Sequence, residues 1–244
     1  MRLETTFKTS VCPVNYHYMV MSLIKEAFTL SAPERMKDIY VYKGKQNKKS
    51  KPFTFAVLLN NFKKENQEFL IDGHVKLIIS SPNAEWLLYL YNGLLQKRQF
   101  EYKKYNLTLE HIRVLPESLP TSTKCLFQTL SPIVLKNKQG DFLSPDHPEF
   151  YPTLQYICNQ TLENATGNGL YKDIILTPLS MKKRVVQQQH EHFKHLNRES
   201  TLYIDGYVGT FMLEGHVEDL RRLTQTGIGF RRSQGFGCVK LIQG

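Results

Sequence analysis

The first half of the chain alternates between a strand-like and a helix-like pattern of hydrophobic positions. The opening segment RLETTFKTS alternates apolar and polar residues with the period of a strand. An apolar set then recurs at helical spacing: Val20, Leu23, Ile24, Ala27 and Phe28. Because proline cannot continue a helix, the sequence predicts that this helix ends at Ser31-Ala32-Pro33.

Further strands and a second helix follow. FTFAVLL and EFLIDGHVKLIIS are rich in apolar, strand-favouring residues, and Asp72-Gly73 is a hairpin-turn signal. FEYKKYNLTLEHIRVL predicts a long strand or a hairpin. Between them Asn83 can cap a helix with an apolar face made of Leu87, Leu90, Tyr91, Leu94 and Leu95.

The pattern restarts after residues 116–124, PESLPTSTK, which combine two prolines with small polar residues and therefore predict a linker. The elements predicted beyond it are, in order, the strand CLFQTLSPIVL, a helix with Phe150, Leu154, Ile157 and Leu162 on one face, the strands VVQQQHEHFKH and STLYIDGYVGTFMLEG, a short helix with Val217, Leu220 and Leu223, and the strand FGCVKLI.

Both halves therefore have the order β-α-β-β-α-β, which is the plan of a ferredoxin-like domain. The sequence predicts an α+β protein with two tandem ferredoxin-like (RRM-like) domains, residues 1–117 and residues 122–244. This prediction rests on the order of the elements, since the two halves share no repeated sequence.

The charge balance points to a polyanionic partner. Lys and Arg together number 32 against 22 Asp and Glu, which gives a net charge of +10. A basic surface attracts nucleic acid, and each neutralised phosphate also releases a counterion. An anionic membrane is the weaker alternative because no long amphipathic basic helix is present, and non-specific attraction to polyanions also accounts for the charge.

The sequence carries no clear motif for metal binding, export or membrane insertion. The four cysteines are scattered singly, so neither a disulfide framework nor a zinc knuckle is supported. The N-terminus has no apolar signal region, and no apolar run is long enough to span a bilayer. We therefore expect a cytoplasmic protein that does not contact a membrane.

The glycine-dense segment GIGFRRSQGFGCVKLI, residues 227–242, carries the clearest candidate chemistry. Gly227 suits a left-handed helix cap, and backbone N–H groups in such a loop can hold phosphates beside two arginines. A plain glycine-rich hairpin with a solvated arginine pair is the alternative. A dinucleotide-binding loop is excluded, because that motif follows a strand and opens a helix.

The segment resembles the signature loop of the RAMP superfamily of CRISPR systems, and most closely the sixth Cas protein family, which cuts CRISPR repeat RNA. Four other segments are also similar to parts of that family in chain order: NYHYMVMSLI (15–24), KPFTFAVLL (51–59), TLSPIVL (129–135) and GYVGTFMLEG (206–215). The resemblance implies two ferredoxin-like domains and an endoribonuclease that needs neither metal nor cofactor. In this family the ribose 2′-OH attacks the adjacent phosphate, leaving a cyclic phosphate. The partners it implies are CRISPR repeat RNA and, as open questions, effector-complex subunits and a second copy of the chain.

The catalytic positions depart from the family pattern. Many members place a histidine just before the lysine-phenylalanine-threonine strand, where this sequence has Tyr40, and the family's helix tyrosine falls at Lys25. The lysine that begins the strand is kept as Lys51. His17 shares a helical stripe with Lys25, so it is a further catalytic candidate, or else a capping or partly buried histidine.

Basic residues elsewhere are candidates for binding RNA or for an ordinary solvated surface. The resemblance implies that MKKRVVQQQHEHFKH takes the place of a basic RNA-binding hairpin in the family's second domain. Its same-face histidines, His190 and His192, do not make a convincing metal site. The predicted RNA-binding residues are Gly227, Gly229, Arg231, Arg232, Ser233, Gly235, Gly237, Lys182, Lys183, Arg184 and Lys45. The sequence thus leaves two functions open, an endoribonuclease and a repeat-RNA-binding subunit that does not cut, with a generic RRM-like binder as a distant third.

Overall fold

A computed structural model describes residues 1–36, 39, 41–42, 45–46, 51–189 and 201–244. The elements of the first half are β1 (Arg2–Lys8), β2 (Val11–Pro13), α1 (Tyr16–Ser31), β3 (Val41–Tyr42), β4 (Lys45–Gln46), β5 (Thr54–Leu59), β6 (Phe62–Glu65), β7 (Glu68–Ile71), β8 (His74–Ser80), α2 (Ala84–Lys97), β9 (Gln99–Tyr102) and β10 (Tyr105–Leu115).

The main sheet of the first half has the strand order β5-β8-β1-β10-β9, with every neighbouring pair antiparallel. Without β9, which is the first strand of a hairpin with β10, this is the order of a ferredoxin-like sheet. The apolar stripes of α1 and α2 cover it, and Phe28 and Trp86 stack between the two helices at a centroid distance of 5.7 Å.

The second half repeats this arrangement. Its elements are β11 (Lys124–Thr129), α3 (Phe150–Thr166), β12 (Ile175–Gln189), β13 (Thr201–Glu214), α4 (Val217–Thr226), a 3₁₀ turn (Arg232–Gln234) and β14 (Val239–Gln243). The strand order β12-β13-β11-β14 is again ferredoxin-like, and α3 and α4 contribute Leu154 and Leu220 to its core. The predicted fold class is therefore confirmed, while the domain bounds 1–117 and 122–244 stay a prediction.

The predicted hairpin at Asp72-Gly73 is wrong. β7 pairs with β6 and β2, whereas β8 pairs with β1 and β5, so the two strands joined by Asp72-Gly73 belong to different sheets. The true turn lies at Asn66-Gln67, between paired Glu65 and Glu68, and Asn66 takes a positive φ of 51°. Asn is one of the few residues that tolerate this conformation.

Other boundaries also differ from the sequence pattern. The predicted strand CLFQTLSPIVL ends at Thr129, and only an isolated bridge from Ile133 to Tyr207 continues the pairing. β12 starts at Ile175, well before the predicted VVQQQHEHFKH, whose histidines lie outside the described residues. The predicted cap of α2 is confirmed, because the Asn83 side chain accepts a hydrogen bond from the Trp86 amide at 2.9 Å.

The two halves meet through hydrogen bonds that involve the glycine-rich segment and its neighbours. Thr54 Oγ1 in β5 donates to the Phe236 carbonyl at 2.8 Å, and Arg2 Nη2 in β1 donates to the carbonyls of Thr224 and Val239 at 3.1 and 2.8 Å. The segment therefore lies where both domains contribute atoms. Within the described part of the chain, no helix is long and apolar enough to cross a membrane.

Candidate active site and nucleic-acid interface

The glycine-rich segment is packed between α1, β5 and the second domain. Its 3₁₀ turn contacts both α1 and β5. A Cβ atom at Gly235 would lie 2.6 Å from Phe55 Cε2 and 3.0 Å from His17 Cδ2, and the φ of Gly235 is +90°. Only glycine fits such a position without strain, so this residue is required where the two domains meet.

The backbone of the segment is largely committed to the protein itself. The N–H groups of Gly227, Gly235 and Gly237 donate to the carbonyls of Leu223, Arg232 and Pro132. The expectation that these three N–H groups hold phosphates is therefore wrong. Gly227 does have the expected positive φ, but its ψ of 169° is not that of a left-handed helical cap.

Gly229, the fourth glycine predicted to bind RNA, allows a close backbone contact beside a cleft. Gly229 lines the cleft described below, and a Cβ atom there would lie 2.6 Å from the Val134 carbonyl oxygen. The neighbouring Phe230 amide donates to that same carbonyl at 2.7 Å. Gly229 thus lets the chain approach residue 134 closely enough to hold Phe230 at the edge of the cleft.

The two arginines of the segment have different surroundings. Arg232 is only 4% exposed, its Nη1 donates to the Thr226 carbonyl at 2.6 Å, and burial lowers its pKa to about 10. This placement contradicts a direct contact with RNA in the described conformation and gives Arg232 a structural role. Arg231 is half-buried with a φ of +59°, and its Nη1 donates to Gln234 Oε1 at 2.7 Å.

A cleft of about 990 Å³ opens beside Arg231. Basic residues from three parts of the fold line it: Lys51, Lys136, Lys138, Arg231 and the nearly buried Arg232. The carboxylate among its lining residues, Glu149, accepts a hydrogen bond from Asn137 Nδ2 at 2.8 Å. Ser233, another predicted RNA-binding residue, also lines the cleft. The excess of basic residues in the cleft favours a polyanionic ligand.

Of the predicted catalytic residues, Lys51 lines this cleft, and the charge of Lys25 acts on it. Lys51 is half-buried just before β5, and Lys25 is exposed on α1. Burial lowers the pKa of Lys51, and the positive charge of Lys25 lowers it further. A lysine in these surroundings loses its proton more readily than a solvated one, which favours a role in proton transfer.

His17 is not placed for catalysis. Its ring is 2% exposed and stacks between those of Tyr16 and Phe236, at centroid distances of 4.4 and 5.1 Å. Burial lowers its pKa to about 4, and the charge of Arg184 adds to this effect. The structure therefore contradicts the catalytic prediction and supports the alternative of a buried histidine at the start of the helix.

The buried His17 should make folding sensitive to acid. The unfolded chain binds a proton at this histidine near pH 6.5, whereas the folded protein resists protonation until about pH 4, so stability should fall as the pH drops through this range. The loss amounts to about 3 kcal/mol. His17→Phe keeps the stacked ring but has no group that titrates. The difference in unfolding free energy between this variant and wild type, measured by denaturant unfolding, should therefore be more favourable to the variant at pH 4 than at pH 7 by that amount. An equal difference at the two pH values would contradict the burial of a neutral His17.

The basic residues of β12 lie along an edge strand of the second sheet. Lys182 and Arg184 are exposed, and the charge of Arg184 acts on Tyr16 and His17, which brings this strand near the start of α1. Lys183 forms an ion pair with Asp205 at 2.6 Å, which raises its pKa. Their contact with RNA stays a prediction.

Tyr40 and Lys45 are the last two of the predicted site residues. Tyr40 lies outside the described residues, and of Lys45 only the strand pairing with Tyr42 is described. Their roles in catalysis and RNA binding therefore stay predictions.

Sequence reasoning missed residues that the structure brings to the site. The charge of Arg231 acts on Tyr18, which is half-buried on α1, and burial raises the pKa of that phenol. Tyr18 and Lys25 are seven residues apart, so they lie on one face of the helix outside its apolar stripe. Phe230 and Tyr156 line the cleft but carry no sequence signal, because single aromatic residues usually belong to a core.

With two ferredoxin-like domains and a basic cleft at the glycine-rich segment established, comparison with known proteins places the chain in a family. A family model described as CRISPR associated protein Cas6, C-terminal, matches residues 115–241. The chain belongs to the Cas6 family. The match includes α3, all four strands of the second sheet and the glycine-rich segment up to Leu241.

Similar proteins extend the comparison to the whole chain. The CRISPR-associated endoribonuclease Cas6 1 of Methanocaldococcus jannaschii is 26% identical over 257 residues, covering 100% of this chain and 93% of the relative. The structure of a Cas6-related gene product from Pyrococcus furiosus matches with a TM-score of 0.83 at 21% identity, over 99% and 98% of the two chains. A RAMP protein described as binding different RNA substrates matches with a TM-score of 0.80 at 22% identity over the full length of both chains. These structures share the fold of this Cas6 family member, including its first domain.

Proposed function

We propose that the protein is an endoribonuclease that cuts CRISPR repeat RNA at the cleft beside Lys25 and Lys51. Family membership supports the substrate class, since the Methanocaldococcus jannaschii relative is a CRISPR-associated endoribonuclease. The observation that carries the proposal is the placement of Lys51, half-buried beside Lys25, on the wall of a basic cleft. That arrangement supplies both a proton acceptor and positive charge.

The proposed reaction uses the RNA's own 2′-hydroxyl. Neutral Lys51 Nζ accepts the 2′ proton, the 2′ oxygen forms a bond to phosphorus, and the bond from phosphorus to the 5′ oxygen breaks. The 5′ oxygen leaves with a proton supplied by the ammonium of Lys25. The products are a 2′,3′-cyclic phosphate and a 5′-hydroxyl, and no water or metal-bound hydroxide takes part.

Electrostatics supports the division of roles between the two lysines. A charged Lys25 stabilises the negative charge that grows on the phosphate, and the same charge lowers the pKa of Lys51. Burial of Lys51 and the positive charge of its neighbour both favour loss of the Lys51 proton. In the proposal the two lysines supply the proton acceptor and the positive charge that a histidine supplies in many family members. Tyr40, which stands at the position of that histidine, lies outside the described residues.

Cleavage in excess EDTA tests the proposal. The substrate is the repeat RNA of the source organism, alongside the same RNA with one 2′-deoxy nucleotide at the cut site. The expected result is a single cut at a fixed position that persists in EDTA and is abolished by the deoxy substitution. Tight binding without a cut would instead make the protein a repeat-RNA-binding subunit, and a cut that EDTA abolishes would contradict the mechanism.

The unequal placement of the two arginines gives a paired prediction for RNA binding. Arg231→Ala should weaken repeat binding and reduce the salt dependence of log K by about one unit of slope, because one phosphate contact is lost. Arg232→Ala should instead lower the melting temperature, because it removes the hydrogen bond to the Thr226 carbonyl. Salt titrations of RNA affinity and thermal unfolding of both variants check this. Equal effects of the two substitutions on the salt slope would contradict the assignment.

A further inference from the structure

We propose that the outer part of the cleft, between α3, residues 136–139 and Phe230, binds a single-stranded RNA segment that flanks the scissile phosphate. Tyr156 and Phe230 serve as stacking platforms for unpaired bases, and Lys136 and Lys138 contact its phosphates. This inference rests on the proposed function, since it places the scissile phosphate at Lys51.

The aromatic residues are the first reason. Tyr156 on α3 is 64% exposed, and Phe230 in the glycine-rich segment is 40% exposed, although both line the same cleft. Large rings open to water in a concave basic surface are the arrangement that sequence-tolerant single-strand binding uses, because every base has a face that can stack. Arg231 lies 5.5 Å from the Phe230 ring centroid and adds a cation beside that platform.

The charges are the second reason. Lys138 is exposed, and Lys136 lies with its Nζ 5.5 Å from the Phe142 ring centroid. Both line the cleft together with Lys51 and Arg231, so its cations come from three parts of the chain. The hydrogen bond from Asn137 holds the Glu149 carboxylate at the start of α3. The phosphates of an RNA backbone can contact these lysines, whereas a neutral ligand gains little from their charge.

Continuity with the catalytic lysine is the third reason. Lys51 and Tyr156 line one cleft of about 990 Å³, which is at the upper end of the volumes found for small-ligand sites. A chain whose scissile phosphate lies at Lys51 can therefore continue along the cleft towards α3. The segment must be single-stranded there, because bases paired in a helix do not expose their faces to protein rings.

Tyr156→Ala and Phe230→Ala test the inference with two RNAs. One is the repeat with its unpaired flanks on both sides of the cut, and the other is the same repeat with the flanks trimmed to the nucleotides adjoining the cut. Each substitution should weaken binding of the longer RNA on the order of tenfold and leave binding of the trimmed RNA unchanged. Lys138→Ala should reduce the salt slope for the longer RNA only.

Matched variants separate stacking from other effects. Tyr156→Phe keeps the ring and should bind the longer RNA as wild type does. Tyr171→Ala removes a tyrosine of similar exposure, 59%, from the same domain outside the residues that line the cleft, and should also have no effect. Thermal unfolding of Tyr156→Ala and Phe230→Ala should stay near wild type, since large parts of both rings are exposed.

The outcomes distinguish this inference from the proposed function. If wild type cuts the repeat but Tyr156→Ala and Phe230→Ala bind both RNAs as wild type does, the flank does not lie in this cleft and the inference is overturned. Equal losses for the long and trimmed RNAs would also overturn it, because the rings would then not contact the flank. If wild type binds the longer RNA through these rings but never cuts it, the proposed function fails while the binding site stands.

Discussion

Replacing Lys51 with methionine should slow cleavage of repeat RNA on the order of 100-fold or more, which is the usual contribution of a positioned proton-transfer group. Methionine keeps much of the length and apolar stem of lysine but cannot accept the 2′ proton. The rate is measured in single turnover with protein in excess, so that weaker binding does not enter the result. RNA affinity should fall much less, since several other cations line the cleft.

Two further variants control for this loss. Lys64→Met changes an exposed lysine on β6 and should cut at the wild-type rate. Lys25→Gln removes the charge that lowers the pKa of Lys51, so that pKa should rise and the rising limb of the pH–rate profile should move to higher pH. Lys25→Arg keeps the charge and should leave the limb in place. Cleavage by Lys51→Met at the wild-type rate would contradict the assignment of Lys51.

Gly237→Ala should cause the largest loss of stability of any single methyl group added in the glycine-rich segment. The φ of Gly237 is +67°, and a Cβ atom there would lie 2.0 Å from the Ile228 carbonyl oxygen. Because Ile228 and Gly237 are tied by a hydrogen bond from the Ile228 amide, the backbone cannot shift without breaking it. We expect a loss of about 3 kcal/mol or more, from strain and a lost backbone contact together.

Gly167→Ala is the matched control. Gly167 follows α3 with a φ of +83°, and nothing lies within 4 Å of the position of a Cβ atom. It therefore measures the cost of the backbone conformation alone, about 1 kcal/mol. Denaturant unfolding of both variants gives the comparison. Similar losses for the two would show that the contact between Gly237 and Ile228 does not constrain the segment.

The order of the elements could be predicted from sequence because each helix and most strands carry their own period. The stripe from Val20 to Phe28 is buried in α1, and Asn83 caps α2 as its position before an apolar helix indicated. The sequence could not predict that β7 and β8 join different sheets. Asp72-Gly73 has the local signal of a hairpin whether or not the strands on either side of it pair with each other. Ile71 pairs with Phe62 and His74 with Lys8, and those partners are decided by tertiary packing.

Part of the candidate site was predicted through the resemblance to the family's motifs. Lys51 and Arg231 line the cleft and the charge of Lys25 acts on Lys51, while the catalytic roles stay predictions. Burial was not predictable, because it depends on residues distant in sequence. Phe236 covers His17, and Thr226 accepts from Arg232, so neither of these two polar groups has the exposure that their positions suggested.

The most direct test of the central claim is the chemistry of the two RNA ends at the cut. Products of wild-type cleavage are examined by mass spectrometry for the group at each new terminus. A 2′,3′-cyclic phosphate on one fragment and a 5′-hydroxyl on the other are the result that attack by the 2′-hydroxyl predicts. A 3′-hydroxyl paired with a 5′-phosphate would contradict it, because water would then have attacked the phosphate and Lys51 would have no 2′ proton to accept.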